Sequence, residues 1–295
     1  MKLVELKEIP YFDQAPKRII SLIPSMTENL FLLGFGSFVV GITDYCIHPE
    51  NMLVDIPRVG GPKSPDYELI LELAPDLVIL NQEESTPEVV KSLDDAGIRM
   101  WVTFPKTVNE AIEILFSVLG IFKNDRAVIQ LKSLIATLDI VKLSTNELKK
   151  VRYFCPIWQD KYKDINWMMT FNGNTYPDDL LSICGGENIF ADRTRRYPLE
   201  ADLGIGEAED TLRKDTRYPR VNIPEIIEQN PELIFLPSEP FEFDQNNLSS
   251  MKILFSETDA GKNDRIILVD GSLLFWPGVR VGRALQILPN LLNSM

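Results

Sequence analysis

One short segment of the chain carries the residue types best suited to metal chemistry. It reads Asp44-Tyr45-Cys46-Ile47-His48 and contains the only histidine of the protein. If this segment is extended, Cys46 and His48 point to the same side. A zinc site built by protein alone needs three or four ligands, and this pair supplies two. The acidic residues that would have to complete such a set are Asp44, Glu83 and Glu84.

A lone histidine suits a different kind of metal-bearing ligand better. A corrin or haem macrocycle brings four equatorial nitrogens of its own, so one axial side chain is enough. The sequence therefore predicts His48, with Cys46 beside it, as a metal ligand for a bound macrocycle. The competing interpretation is a His-Pro turn next to a packed cysteine, with no role in ligand binding.

Further candidates follow predicted strands, where parallel α/β sheets bind their ligands. Aromatic rings can lie against a large flat ligand, and arginines can bind its carboxylates or phosphates. Arg193, Arg195 and Arg196 form a basic cluster whose alternative role is pairing with nearby acids in a solvated loop. Trp101 lies inside a strand and is interpreted as core. The predicted ligand-binding residues are Ser25, Met26, Tyr45, His48, Trp158, Tyr176, Arg193, Arg196 and Trp276.

The second half of the chain repeats the plan of the first, which indicates two lobes around a ligand-binding cleft. Setting Pro75 on Pro231 aligns two copies of an amphipathic helix followed by a proline and a buried strand. Strands alternate with helices throughout, as in mostly parallel sheets covered on both faces. The predicted strands are Arg18–Ile23, Phe38–Thr43, Leu77–Leu80, Arg99–Phe104, Val151–Cys155, Met168–Phe171, Leu233–Leu236 and Arg265–Val269.

Helix signals define the rest of the predicted fold. Ser25, Ser85 and Thr107 have the spacing of helix caps, and each precedes a glutamate by three residues. No glycine or proline occurs from Ile121 to Cys155, and the apolar spacing there predicts one helix over residues 124–148. The predicted domains are an N-terminal lobe (1–122), a connecting helix (123–149) and a C-terminal lobe (150–295). Residues 193–218 are predicted to form an extended surface loop.

Composition excludes several classes of function. The net charge of −13 argues against nucleic acid and anionic membranes as partners. No apolar run is long enough to span a membrane, and the start shows no secretory signal. The sequence as it stands therefore predicts a cytoplasmic protein, or an extracytoplasmic one if a leader was removed. Three cysteines do not form a disulfide framework, and no dinucleotide or phosphate-loop motif is present.

Several stretches resemble the substrate-binding proteins of ABC importers for cobalamin, haem and ferric siderophores. In the first half these are PKRIISLIPSMTENLFLLG, GITDY and RVGGPKSPDYELILELAPDLVIL, and in the second half TFNGNTYPDDLLSICGGENIFAD. The subgroup of helical-backbone metal receptors carries stretches similar to TDYCIHP, RYPL and LLFW. The resemblance covers nearly the whole chain in order.

The resemblance implies two Rossmann-like lobes joined by one long backbone helix, a monomer, and capture of a ligand without catalysis. The implied ligand is a cobalamin-like corrinoid first, with haem or a ferric siderophore next, and the protein needs no cofactor of its own. The implied partner is an ABC permease, docked in the family through a glutamate on each lobe. Glu68 matches the first of these. The equivalent position in the second lobe is Pro224, and Glu225 comes one residue later.

The alternative hypothesis belongs to another class of protein. It is a cytoplasmic metal-ion-binding enzyme or metallochaperone that uses Asp44, Cys46 and His48. A Cys46–His48 nucleophile is disfavoured, because residues two apart seldom reach the geometry that a thiolate–imidazole pair needs.

Overall fold

A computed structural model describes residues 8–212 and 214–293 of the chain. The backbone contacts divide the chain into two units. The first comprises Met1–Ala136 with Trp276–Val279, and the second comprises Thr137–Phe275 with Arg280–Met295. The predicted lobes (1–122 and 150–295) and connecting helix (123–149) stay a prediction.

The first unit is built on a four-stranded parallel sheet in the order β2-β1-β5-β6. Its strands are β1 (Ile19–Ser21), β2 (Val39–Ile42), β5 (Leu77–Asn81) and β6 (Met100–Thr103), and a short antiparallel pair lies between them in sequence, β3 (Gly60–Gly61) and β4 (Ser64–Pro65). All four strands of the parallel sheet lie inside segments predicted from their apolar runs, except that β5 extends one residue further. The core contains Ile20, Val78, Leu80 and Val102 from these strands.

Helices of the first unit connect the strands, and their beginnings correct two predictions. They are α1 (Pro24–Leu32), α2 (Tyr67–Glu72), α3 (Pro87–Asp95) and α4 (Val108–Phe122). Thr107 caps α4 as predicted, accepting from Glu110 N at 3.1 Å. Ser25 is not a cap, because α1 begins with Pro24, which needs no N–H partner at the first position of a helix. Ser85 is not a cap either, since Thr86 accepts from Val89 N at the start of α3.

The second unit repeats the arrangement with a parallel sheet in the order β10-β7-β12-β13. Its strands are β7 (Val151–Phe154), β10 (Gly186–Asn188), β12 (Leu233–Pro237) and β13 (Ile266–Val269). Strand β12 begins two residues after Pro231, as β5 begins two residues after Pro75. The internal repeat seen in the sequence is therefore a repeat of structure. The mixed α/β class with mostly parallel sheets is confirmed.

An antiparallel sheet in the second unit was only partly predicted. It has the order β11-β9-β8, with β8 (Trp158–Tyr162), β9 (Ile165–Met169) and β11 (Arg220–Asn222). Strand β8 contains Gln159, Asp160 and Lys161, and its polar alternation carries no apolar run. The sequence signal covered only the end of β9, where Met168 joins the core around Phe154 and Ile234.

Helices surround both sheets of the second unit. They are α6 (Tyr176–Ile183), α7 (Leu199–Asp202), α8 (Ile223–Gln229), α9 (Gln245–Leu254), α10 (Asp259–Lys262), α11 (Gly271–Phe275) and α12 (Val281–Asn293). Helix α7 interrupts the segment predicted as an extended loop. Arg213, within that segment, lies outside the described residues.

Helix α5 (Val128–Asn146) is the long helix predicted between the halves of the chain. It is shorter than the predicted 124–148, because a turn at residues 126–127 precedes it and the chain turns again at Glu147. The boundary between the two units falls within this helix, after Ala136. Leu131, Leu134 and Leu138 on one face are buried.

Within the described parts of the chain, no helix is both long and apolar enough to cross a membrane.

Candidate functional site

The only histidine lies at the carboxyl edge of the first unit's sheet, next to a tryptophan. His48 is half-buried and follows β2 by six residues. Its ring centre is 5.6 Å from that of Trp276, with an angle of 67° between the ring planes. Trp276 is buried and belongs to the short segment that joins the first unit late in the chain. Two of the predicted ligand-binding residues are thus brought together although they are far apart in sequence.

Two residues in the loop that contains His48, Tyr45 and Cys46, differ in their exposure to solvent. Tyr45 is exposed, and its ring lies beside Gly61 of β3. Cys46 is completely buried, with its sulfur 3.1 Å from Thr27 Oγ1 and 3.2 Å from Thr43 Oγ1. The carbonyl oxygen of Cys46 accepts from Arg58 Nη1 at 2.7 Å. This arrangement holds the loop that presents His48.

The surroundings of Cys46 suit a neutral thiol. Burial raises the pKa of the Cys46 thiol above its ordinary value, and the hydrogen bonds of Thr27 and Thr43 offset this only in part. Metal ligation requires the thiolate, so its proton would have to be lost inside the protein. Among residues 8–212 and 214–293, no three side chains of His, Cys, Asp or Glu form a group that could hold a metal ion. A site for a bare ion therefore has no complete ligand set there, and ligation by Cys46 or His48 stays a prediction.

Ser25 and Met26 line a small internal cavity of about 10 Å³ in the first unit. Both lie in the first turn of α1, and both are buried. Asn81 and Thr103 contribute polar groups from the ends of β5 and β6. A cavity of this size is close to the lower limit for one water molecule. The predicted role of Ser25 and Met26 in ligand binding stays a prediction.

Asn29 was missed in the sequence and ties the late segment to α1. Its Nδ2 donates to Pro277 O at 3.1 Å, and its Oδ1 accepts from Val279 N at 2.8 Å. The two bonds fix the backbone immediately after Trp276, and through it the wall beside His48. An asparagine inside an apolar helical segment gives no sign of a partner some 250 positions away, which is why sequence reasoning did not find it.

Two predicted aromatic residues of the second unit differ in exposure. Trp158 begins β8 and is 44% exposed, with its ring centre 5.5 Å from that of Phe241. Phe241 in turn lies 4.8 Å from Phe243, also measured between ring centres. Tyr176 is buried at the start of α6, and burial raises the pKa of its phenol. Trp158 presents an aromatic surface to solvent, whereas Tyr176 serves packing in the structure as it stands.

The arginines of the basic cluster are in different environments. Arg193 donates from Nε to Glu225 Oε1 at 2.9 Å and from Nη1 to Asp202 Oδ1 at 3.1 Å. Its Nη2 also donates to Asp202 O at 2.6 Å. The guanidinium of Arg193 is therefore fully engaged within the unit. Arg196 is exposed, and the structure uses its backbone groups, with its N–H donating to Asp202 Oδ1 at 2.9 Å.

Asp202 is the centre of this network and was not singled out in the sequence. It is completely buried. In addition to the bonds from Arg193 and Arg196, its Oδ2 accepts from Arg220 N at 2.8 Å and from Arg220 Nε at 2.9 Å. A buried carboxylate with several donors is stable only while those donors remain. The network fixes the segment after β10 against β11 and α8.

The two predicted docking glutamates are not equivalent. Glu68 lies in the first turn of α2 and is exposed. Glu225 occupies the first turn of α8, where its carboxylate is held by Arg193. Docking at either residue stays a prediction, and in the second unit it would compete with an internal ion pair.

Comparison with known proteins supports the predicted resemblance. Residues 19–103 match the family model described as "Periplasmic binding protein". The chain is 24% identical over 274 residues to the "Vitamin B12-binding protein" of Vibrio cholerae serotype O1, covering 92% of this chain and 87% of the relative. Similarity to the substrate-binding class for cobalamin, haem and siderophores is thereby confirmed, and with it the prediction of a binding protein without catalysis.

Solved structures with the same fold include two periplasmic proteins. The "periplasmic Vitamin B12 binding protein BtuF of Vibrio cholerae" aligns with a TM-score of 0.72 at 22% identity, covering 94% of this chain and 97% of that one. The "Periplasmic heme-binding protein RhuT from Roseiflexus sp. RS-1" aligns with a TM-score of 0.70 at 21% identity, with the same coverage of both chains. At these identities the likeness establishes the fold.

Proposed function

We propose that this chain, a substrate-binding protein of the ABC-importer class, captures a metal-bearing macrocycle and delivers it to a permease. The first choice of ligand is a cobalamin-like corrinoid, and haem or a ferric siderophore come next. Of the three proteins compared above, two are named for vitamin B12 and one for haem. Since the two solved structures are described as periplasmic proteins, we also propose an extracytoplasmic location for this protein.

The observation that carries this proposal is the half-buried His48 beside Trp276. A macrocycle needs one axial side chain from the protein, and His48 is the only histidine that the chain offers. Imidazole is a good ligand for cobalt and iron. Three-ligand sites for a bare ion have no support among the described residues. His48 is therefore assigned to the metal carried by the ligand.

Aromatic surface supplies the other part of the binding energy. The exposed ring of Tyr45 lies in the same loop as His48. In the second unit the exposed ring of Trp158, which packs against the partly buried Phe241, offers a further aromatic surface. Burial of apolar area against such rings contributes about 25 cal/mol per Å². In this mechanism the aromatic rings remove water from the ligand, and His48 fixes its orientation.

Of the two predicted arginines, Arg196 is the better candidate for an anionic group on the ligand. Arg193 already binds Asp202 and Glu225. The side chain of Arg196 is exposed and makes no hydrogen bond that the structure records with the described residues. We assign Arg196 to the edge of the ligand and Arg193 to holding the segment in place.

The test is a spectroscopic titration of the purified protein with aquocobalamin and with haemin. Wild type is compared with His48→Ala and with Ile47→Ala, an exposed neighbour in the same loop. Axial ligation predicts a shift of the cobalt or iron spectrum in wild type and Ile47→Ala, and loss of that shift in His48→Ala. Affinity is expected to fall at least about tenfold in His48→Ala, equivalent to about 1.4 kcal/mol.

The outcomes separate the parts of the proposal. Equally tight binding by wild type and His48→Ala would support the function as a macrocycle receptor and contradict axial ligation by His48. Binding of neither macrocycle, together with binding of zinc or ferrous iron measured by calorimetry, would overturn the macrocycle assignment. One chain carries all the residues invoked here, so capture requires only a monomer.

A further inference from the structure

The second unit contains a groove between the hairpin of β8 and β9 and helix α9, here called the hairpin groove. Its volume is about 420 Å³, which is the size of sites that bind small organic molecules. Every residue that lines it belongs to the second unit, and the predicted ligand-binding residues are not among them. The hairpin groove is therefore a second concave surface, built by one unit alone.

Strand pairing places four side chains of the hairpin on the face of the groove. In the antiparallel pair, Gln159 lies opposite Met168, and Lys161 lies opposite Asn166. Directly opposed residues share a face of the sheet, and so do residues two apart on one strand. Met168 is buried in the core of the unit, whereas Lys161 and Asn166 are exposed. The hairpin thus gives the groove an apolar floor and a polar edge.

Helix α9 supplies the opposite wall of the groove. Met251 is buried, and Leu254, three residues further along the same helix face, is 38% exposed. Ser250 lies exposed at the edge, and its hydroxyl donates to Asn246 O at 3.0 Å. Methionine side chains are flexible and polarizable, so a floor of Met168 and Met251 can adapt to apolar groups of different shape.

Lys161 places an available positive charge at the edge of the groove. Among residues 8–212 and 214–293, no carboxylate forms an ion pair with its ammonium group. The acid among the lining residues is Asp160, which alternates to the other face of β8 and whose Oδ1 accepts from Lys161 N at 2.7 Å. By contrast, Lys252 on α9 is paired with Asp264 at 2.6 Å. An anionic group in the groove would therefore meet a free cation.

We propose that the hairpin groove binds a small organic anion, with its apolar body against Met168 and Met251 and its carboxylate or sulfonate at Lys161. Burial of the apolar body supplies most of the affinity, because an ion pair with an exposed lysine contributes little. Lys161 therefore selects the charge of the ligand. The side-chain amides of Gln159 and Asn166 add hydrogen-bond donors at the same edge. This site does not depend on capture of a macrocycle, so either proposal can fail alone.

The test is a fluorescence titration with anilinonaphthalene sulfonate, an organic anion with an apolar body. We expect a dissociation constant of about 10–100 μM for the groove. Ser250→Phe should weaken this binding at least about tenfold, because the ring fills the groove. Ser249→Phe is the matched control, since Ser249 is also exposed and donates to Gln245 O at 2.9 Å but does not line the groove. Equal binding by wild type and both variants overturns the proposal.

The charge of the ligand is tested separately. Lys161→Gln should weaken binding of the sulfonate by about two- to fivefold, the effect of an exposed ion pair. Lys163→Gln, at the turn of the same hairpin and outside the lining, should leave it unchanged. Octanoate should displace the dye from wild type at lower concentration than octylammonium does. Displacement by octylammonium at the same or lower concentration overturns the assignment of an anion.

Folding of the variants must be controlled because the dye also binds partly folded chains. Each protein is therefore titrated well below its unfolding transition, which is measured by circular dichroism. A loss of dye binding in folded Ser250→Phe, with normal binding in Ser249→Phe, supports the groove as the site.

Discussion

The imidazole of His48 meets the ring of Trp276 edge-on, with 5.6 Å between ring centres. Contacts of this geometry contribute about 0.5–1.5 kcal/mol beyond the burial of area. The contact also limits how the imidazole can rotate in a loop that is otherwise exposed on both sides of Cys46. An orienting role for Trp276 follows, distinct from direct contact with a ligand.

Replacing Trp276 by leucine should therefore weaken ligand binding without removing it. We expect the affinity for aquocobalamin to fall by about three- to tenfold, the equivalent of the lost ring contact. The measurement is the same absorbance titration at a temperature where the variant is folded. Trp101→Leu in β6 is the matched control, since that tryptophan is likewise buried but lies within a strand of the parallel sheet. An unchanged affinity in Trp276→Leu would contradict the orienting role.

Gly278→Ala should destabilise the protein by about 2–4 kcal/mol. The residue has a φ of +121°, and a Cβ there would collide with the side-chain amide of Asn29. Strained backbone and overpacking contribute about 1–3 kcal/mol each. Chemical denaturation measures the effect. Gly120→Ala in α4 is the control, because nothing lies within 4 Å of its Cβ position and alanine is favoured in helices. A loss in Gly120→Ala as large as that in Gly278→Ala would refute the explanation.

Asp202→Asn should cost about 3–5 kcal/mol in the free energy of unfolding. The substitution leaves Arg193 and Arg220 buried without their shared carboxylate, and breaking one side of a buried ion pair has costs of this size. Glu209→Gln removes a surface pair with Lys214 and should change stability by less than about 1 kcal/mol. Equal effects of the two substitutions, measured by urea unfolding, would show that the network does not depend on charge.

The partly buried carboxyl of Asp178 should make the free energy of unfolding depend on pH. Burial raises the pKa of its carboxyl above the ordinary 3.8, although Tyr153 and Asn188 donate hydrogen bonds to it. The folded state then holds this proton more tightly than the unfolded chain does. The contribution of Asp178 to stability is therefore present below pH 3.8 and is lost as the pH rises through the folded pKa.

Asp178→Asn should remove this dependence. The stability difference between variant and wild type should move in favour of the variant as the pH rises from about 4, and then level off. Urea unfolding of both proteins at several pH values between about 4 and 7 measures it. The exposed Asp160→Asn serves as the control for loss of one charge. A constant difference between Asp178→Asn and wild type over the whole range would contradict the assignment.

The sequence predicted most of what depends on local patterns. Apolar runs marked every strand of the two parallel sheets except β10, since Gly186–Asn188 carries no apolar run. The shared spacing around Pro75 and Pro231 revealed the structural repeat. Strand β8 was not predicted. It lies at the edge of its sheet, and its residues Gln159, Asp160 and Lys161 are all polar, so no apolar residue among them marks a buried face. The predicted caps Ser25 and Ser85 were wrong because of nearby prolines. The helices begin at Pro24 and Pro87, so neither serine occupies the capping position.

The site was harder to predict for a physical reason. Residue type was enough to select His48, Trp158 and Trp276 as candidate ligand-binding residues. It did not show which of them lie next to each other in the structure. The backbone partners of Asn29 lie about 250 positions away in the chain. Those of Asp202 lie closer, at Arg193, Arg196 and Arg220, but no pattern in a single sequence shows that these residues pair. The network around Asp202 also changed the interpretation of Arg193, which is engaged by acids of its own unit. Arg196, from the same cluster, keeps an exposed side chain.

The short segment Trp276–Val279 makes the first unit discontinuous in the gene. A fragment ending at Ala136 would contain all four strands of the first parallel sheet, yet it would lack the ring beside His48 and the backbone partners of Asn29. A fragment cut in the middle of α5 would thus have His48 without the tryptophan ring that packs against it. A self-sufficient version of the first unit needs residues 276–279 grafted back, for example through a circularly permuted gene.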